Sequence, residues 1–149
     1  MKLSTKGRYG LRAMIDLAIH SSGEHVSLYS IAERQKISEN YLEQVFATIR
    51  KAGLVKSIKG AQGGYILSDS PANIKIGSIL RALEGNLSVV DENADKTGDN
   101  KNSIQQCIKI NVWDKMNQRI NELVDSITLE DMVNEYKKLN NSEDVMYYI

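Results

Sequence analysis

The chain has 149 residues, 42% of them hydrophobic and 26% charged, with 19 Lys and Arg balancing 19 Asp and Glu. That balance fits one globular domain with an added element and excludes a disordered charged tail of whole-chain length. A single cysteine excludes an internal disulfide. No apolar run approaches the roughly 18 residues of a membrane helix, and the opening MKLSTKGRYG lacks a signal-peptide core, so a cytoplasmic protein with no membrane partner is expected.

The zero net charge conceals an asymmetry. Residues 1–85 hold 12 Lys and Arg against 7 Asp and Glu, and residues 86–149 hold 7 against 12. An excess of positive charge confined to one part of a chain is what a phosphate-binding surface requires. Ser4 or Thr5 starts a first helix that runs to about Ser21, with Tyr9, Leu11, Met14, Ile15, Leu17 and Ala18 on a wide apolar face. Arg8, Arg12, Asp16 and His20 form a polar stripe in which Arg12 and Asp16 are spaced to pair. Lys2, Lys6 and Arg8 cluster at the start and are candidate phosphate contacts. After a turn at Ser22–His25, Ser27 caps a short helix from Leu28 to about Gln35.

The next stretch, SENYLEQVFATIRKAGLVKSIKGAQGGYIL from Ser38 to Leu67, organises the rest. Ser38 is an N-cap, and Tyr41, Leu42, Val45, Phe46, Ile49 and Ala52 fall on one side of the helix it opens. Asn40, Glu43, Gln44, Ala47 and Lys51 fall on the other. Amides pair with adenine edges, Glu accepts from cytosine and Ala meets a thymine methyl, although the same face would also suit a plain solvated surface. Gly53 ends the helix in a left-handed cap. Residues 54–58 and 65–67 form a hairpin around the tip Lys59-Gly60-Ala61-Gln62-Gly63-Gly64, which has no acidic residue. Helix, turn, helix and a basic hairpin in this order define a winged helix-turn-helix. The candidate DNA contacts are Lys2, Lys6, Arg8, Ser38, Asn40, Tyr41, Glu43, Gln44, Lys51, Lys59, Gly60, Gln62 and Gly63.

Beyond the hairpin, Ile76, Ile79, Leu80 and Leu83 mark a short helix ending at Gly85. Residues 86–103 read as an exposed polar loop. A long helix from about Ile104 to Ser126 carries Trp113, Met116, Ile120, Leu123 and Ile127 at spacings of 3, 4, 3 and 4, a seam suited to a second copy of itself. Thr128 has capping-box character and opens a short terminal helix. The fold class is mainly α with a small β-wing: a winged helix-turn-helix domain at 1–85, the loop at 86–103, and a dimerisation helix, terminal helix and tail at 104–149. No catalytic constellation or phosphate loop is present, so no enzyme is expected. A protein-interaction module remains the alternative.

The opening MKLSTKGRYGLRAM, the run from Ser38 to Leu67 and the later ITLEDM resemble the Rrf2 family of bacterial winged-helix repressors over nearly the whole chain. The resemblance implies a homodimer on a palindromic double-stranded DNA operator. It also implies that Glu43 and Gln44 face the bases and that Lys59 approaches the minor groove. Members that hold an iron–sulfur cluster carry three cysteines in the loop before the dimer helix. Here Cys107 is the sole cysteine and neither histidine lies past residue 25. A [2Fe–2S] site takes about four protein ligands, so no metal or cofactor is expected. The resemblance then points to cluster-free members, which regulate cysteine metabolism with cysteine synthase as sensor. In that reading the tail residues Tyr147, Tyr148 and Ile149 offer a terminal carboxylate to the enzyme, or else pack on the dimer. Cys107 is either a packing residue or a redox- or nitric-oxide-responsive switch.

Overall fold

The computed structural model describes residues 1–91 and 103–147, with 142–147 by backbone alone. Residues 92–102, which make up most of the expected polar loop, lie outside it. So do Tyr148, Ile149 and the side chain of Tyr147.

Helix α1 (Thr5–His20) begins where the Ser4 hydroxyl accepts from the Gly7 N–H. Helix α2 (Leu28–Gln35) begins the same way, with Ser27 accepting from Ser30. Lys36 then takes a left-handed conformation, φ 57°, and turns the chain into α3 (Glu39–Lys51), capped by Ser38. The end of α3 is a Schellman motif. Gly53, at φ 81°, donates to Arg50 O at 2.9 Å and Leu54 donates to Ile49 O at 3.3 Å. Ala52, expected on the apolar face of the helix, is instead its exposed C-cap.

Strands β1 (Val55–Ile58) and β2 (Gly64–Leu67) pair antiparallel, with Val55 opposite Leu67 and Ile58 opposite Gly64. The wing is fastened at its base. Val26 and Tyr65 exchange two backbone hydrogen bonds of 2.8 Å, and the Tyr65 ring lies 4.9 Å from that of Phe46 on α3. A single turn at Pro71–Asn73 leads to α4 (Ile76–Glu84), which stops at Gly85.

The core is built from α1, α2, α3 and α4, with Met14, Leu17, Ile31, Leu42, Val45, Phe46, Ile49 and Ile79 fully or almost fully buried. It does not end at residue 85. Leu87 and Leu129 belong to the same cluster, and the start of the last helix is stitched to α4: Ile76 donates to Ile127 O at 2.8 Å and Leu129 to Ile74 O at 2.9 Å.

The expected long helix is present but irregular. It comprises α5 (Ile104–Ile108), a π-helical turn (Lys109–Trp113) and α6 (Asp114–Asp125). Ile127 lies past its end. Thr128 and Asp131 form the expected capping box, each accepting from the other's backbone N–H at 3.0–3.1 Å. The helix they open, α7 (Leu129–Tyr147), spans 19 residues rather than being short.

Candidate nucleic-acid interface

Helix α3 buries Leu42, Val45, Phe46 and Ile49 against the core. The same rotation leaves Ser38, Asn40, Glu43, Gln44 and Lys51 exposed, so the polar face read from the sequence is available to a groove. Tyr41 is half-buried and meets Tyr9 of α1 edge to face, with ring centroids 6.2 Å apart. Arg50, one residue before the helix end, donates to Ser57 Oγ of β1 at 3.4 Å and ties the helix to the wing. At the wing tip Lys59, Gly60 and Gln62 are exposed and Gly63 is half-buried. The Gly63 N–H closes the tip on Gly60 O at 3.0 Å, and His25 Nε2 is paired with Gln62 O. His25 therefore braces the wing, a role the sequence did not suggest.

At the start of α1, Lys2 and Arg8 are exposed and Lys6 is half-buried. A carboxylate from 80 residues away completes the N-terminal cap: Glu84 accepts from Ser4 N at 2.8 Å and Ser4 Oγ at 2.5 Å. It places negative charge at the positive end of α1.

The expected Arg12–Asp16 pair does not form. Arg12 donates to Gln35 O across the helix-turn-helix corner, and its guanidinium lies 5.2 Å from the centroid of the Tyr9 ring, where Arg8 also sits at 5.8 Å. Two guanidinium groups thus flank the Tyr9–Tyr41 contact at the entrance to α3. Their i, i+4 spacing was visible in the sequence, but assigning Arg12 to Asp16 concealed it.

Asp16 is turned inward instead, with only 2% of its surface exposed. Its carboxylate accepts from Arg34 Nη2 at 2.7 Å, Arg34 Nε at 3.0 Å and Gln35 Nε2 at 2.9 Å. These hydrogen bonds raise the Arg34 pKa above its ordinary value, against the opposing pull of burial. The network ties α1 to the end of α2, just ahead of the turn into α3.

The five seam residues separate into different environments. Met116 and Leu123 are exposed, at 43% and 61%. Trp113 is half-buried in the wall of a cavity, and Ile120 and Ile127 pack against the subunit's own core. The exposed apolar row is Ile108, Val112, Met116 and Leu123, with Ile104 and Ile110 beside it. The split follows from docking: α6 lays one flank, with Ile120 and Val124, on the subunit's own core and leaves the flank with Met116 and Leu123 in solvent. Arg81 of α4 holds α6 with a fork of hydrogen bonds, to Asp125 at 2.7 and 2.9 Å and to Asn121 at 2.8 and 3.1 Å. The fork raises the Arg81 pKa and lowers that of Asp125. Gly77 makes the approach possible, since a Cβ there would strike Asp125 Oδ1.

A capped helix with a polar exposed face, a basic wing and a basic helix start define a winged-helix DNA-binding protein. Comparison with known proteins gives the same class. A family described as Rrf2, iron-dependent transcriptional regulator, matches residues 3–135. The HTH-type transcriptional regulator CymR of Bacillus subtilis is 43% identical over 149 residues, covering all of both chains. The solved structure of CymR, titled the global cysteine regulator of B. subtilis, superposes with a TM-score of 0.75, covering 91% of this chain and 98% of that one. The structure of T. potens IscR superposes at 0.72 with 48% identity, covering 93% and 90%. The chain belongs to the Rrf2 family. It is a helix-turn-helix transcriptional regulator and not an enzyme.

The iron dependence in the family description raises the question of a metal. The chain offers one cysteine and two histidines, and among the described residues no group of three or more His, Cys, Asp or Glu is placed to hold an ion. Residues 92–102 add neither cysteine nor histidine. An iron–sulfur cluster draws about four ligands, mostly thiolates, and the residues present do not fit one. Cys107 is exposed in the single subunit. Among the described residues no helix is long and apolar enough to cross a membrane.

Proposed function

We propose that the chain is a homodimeric repressor that binds a palindromic operator in the cytoplasm and controls genes of cysteine or sulfur metabolism. The observation that carries this reading is the exposed Asn40–Glu43–Gln44 face of a helix fixed at both ends and tied to a basic wing. The exposed apolar row on α5 and α6 supports a second copy as its occupant, because an isologous contact would bury it on both subunits at once. Similarity alone does not separate a cysteine regulator from a cluster protein, as the CymR and IscR structures are comparably alike. The ligand count does, and it favours the cluster-free reading.

In this reading Lys2, Lys6, Arg8, Lys51 and Lys59 meet phosphates, and Ser38, Asn40, Tyr41, Glu43 and Gln44 read or border the bases. Gly60, Gln62 and Gly63 bring the wing backbone close. Cysteine synthase is the sensing partner, bound through Tyr147, Tyr148 and Ile149. A genome-wide footprint with and without cysteine in the medium identifies the operators, and binding to one of them is then measured. Gln44→Ala should cost about 1–3 kcal/mol of discrimination at one base position. Lys59→Ala should weaken all sequences alike and reduce the salt slope by about one. Parent-like binding by both variants would refute the assignment of this face. Deleting residues 147–149 should abolish enzyme binding and spare operator binding. A second reading rests on the exposed thiol of Cys107: oxidant-dependent operator release that persists in Cys107→Ser would dispose of it.

A further inference from the structure

A cavity of about 500 Å³ lies between the segment after α4 and the π-helical turn, within the size range of small-molecule sites. Its wall includes Lys109, Asp114, Asp91, Trp113, Ile108 and Asn117. We infer that it is an effector site for a small apolar α-amino acid. The inference rests on the regulator reading above and names what that regulator senses directly.

The chemistry follows from the turn. Lys109 and Asp114 are five residues apart, a spacing that an α-helix places about 140° apart around its axis. The π turn brings them to one side, with Asp114 N–H bonded to Lys109 O, and Lys109 Nζ reaches Asp114 Oδ2 at 3.1 Å. About half of each side chain is in water, so this ion pair has little net strength and opens readily. A zwitterion replaces it one for one: its carboxylate meets Lys109 and its ammonium meets Asp114 and the Asp91 rim. The Trp113 ring and Ile108 supply an apolar wall for the side chain. Single π turns inside helices are frequent at functional sites, and here the turn sets the charge pair in the cavity wall.

The wall also reaches the DNA-binding end. Asn117 accepts from Val89 N at 2.8 Å and donates to Ser88 Oγ at 3.2 Å. Val89 O accepts from the Met1 ammonium at 3.3 Å, so the segment lining the cavity holds the arm that carries Lys2 and leads into α1. One turn along α6, Asn121 joins Asn117 O to the Arg81 fork. Filling the cavity therefore perturbs both the arm and the anchor of α6.

Trp113 is the only tryptophan, so its emission reports this site without labelling. The full-length protein is titrated with L-alanine, L-valine, L-leucine, L-methionine and L-cysteine, and with the matching amines and carboxylates. At least one amino acid should give a saturable change at millimolar concentration or below, and its amine and carboxylate should not. Lys109→Gln and Asp114→Asn should each weaken that response tenfold or more with unchanged melting curves, since the half-exposed ion pair they break has little net strength. No response to any of the five, an equal response to the single-charge analogues, or parent-like response in both variants overturns the site. Operator affinity, measured alongside, should change at least threefold at saturation. Saturable emission with unchanged operator affinity overturns the effector role and leaves the regulator reading intact. Absence of operator binding by the ligand-free protein counts against that reading, while the titration still decides the site.

Discussion

Replacing Asp16 by Asn tests the claim that a buried carboxylate ties α1 to the end of α2. The substitution keeps the volume and removes the charge. Arg34 donates to both oxygens of Asp16, Nη2 to Oδ1 and Nε to Oδ2, and Gln35 Nε2 shares Oδ2, whereas an amide has an oxygen at only one of the two positions. Whichever way it turns, its NH₂ faces a nitrogen of the donor-only Arg34 guanidinium at a site with 1% side-chain exposure. Removing one member of a buried ion pair costs about 3–5 kcal/mol. Arg34 keeps 34% of its side chain in water and can rehydrate in part, which places the loss near the lower end, about 3 kcal/mol. For a chain of this length that corresponds to a fall in Tm of about 6–12 °C. Urea unfolding followed by circular dichroism, at fixed protein concentration because any subunit association contributes, gives the number. Operator affinity should fall with it, since Gln35 also holds Arg12 through its carbonyl. A loss below about 1 kcal/mol would show that the network is cosmetic and that apolar packing alone holds α1 to α2.

Ser38→Ala removes the hydroxyl that accepts from Tyr41 N and should cost about 1 kcal/mol in the same urea assay, with operator affinity reduced as the first turn of α3 frays. Gly77→Ala places a methyl against Asp125 and within 3.0 Å of Arg81 Nη1 and Val124 Cγ2. The Arg81 fork should open at a cost of about 1–3 kcal/mol, and a Tm equal to the parent's would refute the close approach. Asp125 has a pKa below its unfolded value because Arg81 donates to it. Its contribution is thus present above the ordinary carboxylate range and is lost as pH falls through the lowered folded value. Asp125→Asn should therefore flatten the acid limb of the stability profile, and an unchanged limb would refute the fork's role.

Much of the fold was legible because its signals are local. Ser4, Ser27, Ser38, Gly53, Gly85 and the Thr128–Asp131 box each mark an end within four residues of the groups they satisfy, and the structure places every one there. The exposed face of α3 followed from the 3.6-residue period alone. What was not legible depends on partners far along the chain. Asp16 read as a surface residue because Arg34 lies 18 positions away, and Glu84 gave no hint of capping a helix that starts at Thr5. The spacing of the seam gave no sign that one flank of α6, with Ile120 and Val124, would be taken up by the subunit's own core. Helix α7 was expected to be short, but it runs for 19 residues, with Leu129 and Val133 buried at its near end.

The stitching of Ile127 and Leu129 onto the entry to α4 has a consequence for the operator. The reading head has no hinge of its own: its floor includes the first turn of the last helix, and its orientation is inherited from packing rather than from a linker. In a dimer of such subunits the distance and twist between heads are properties of the solid. One base pair added between half-sites would advance the second by about 3.4 Å and rotate it by about 35°, and neither head has slack to follow. Tolerance to spacer length should be close to nil, in contrast to regulators whose heads hang on flexible tethers.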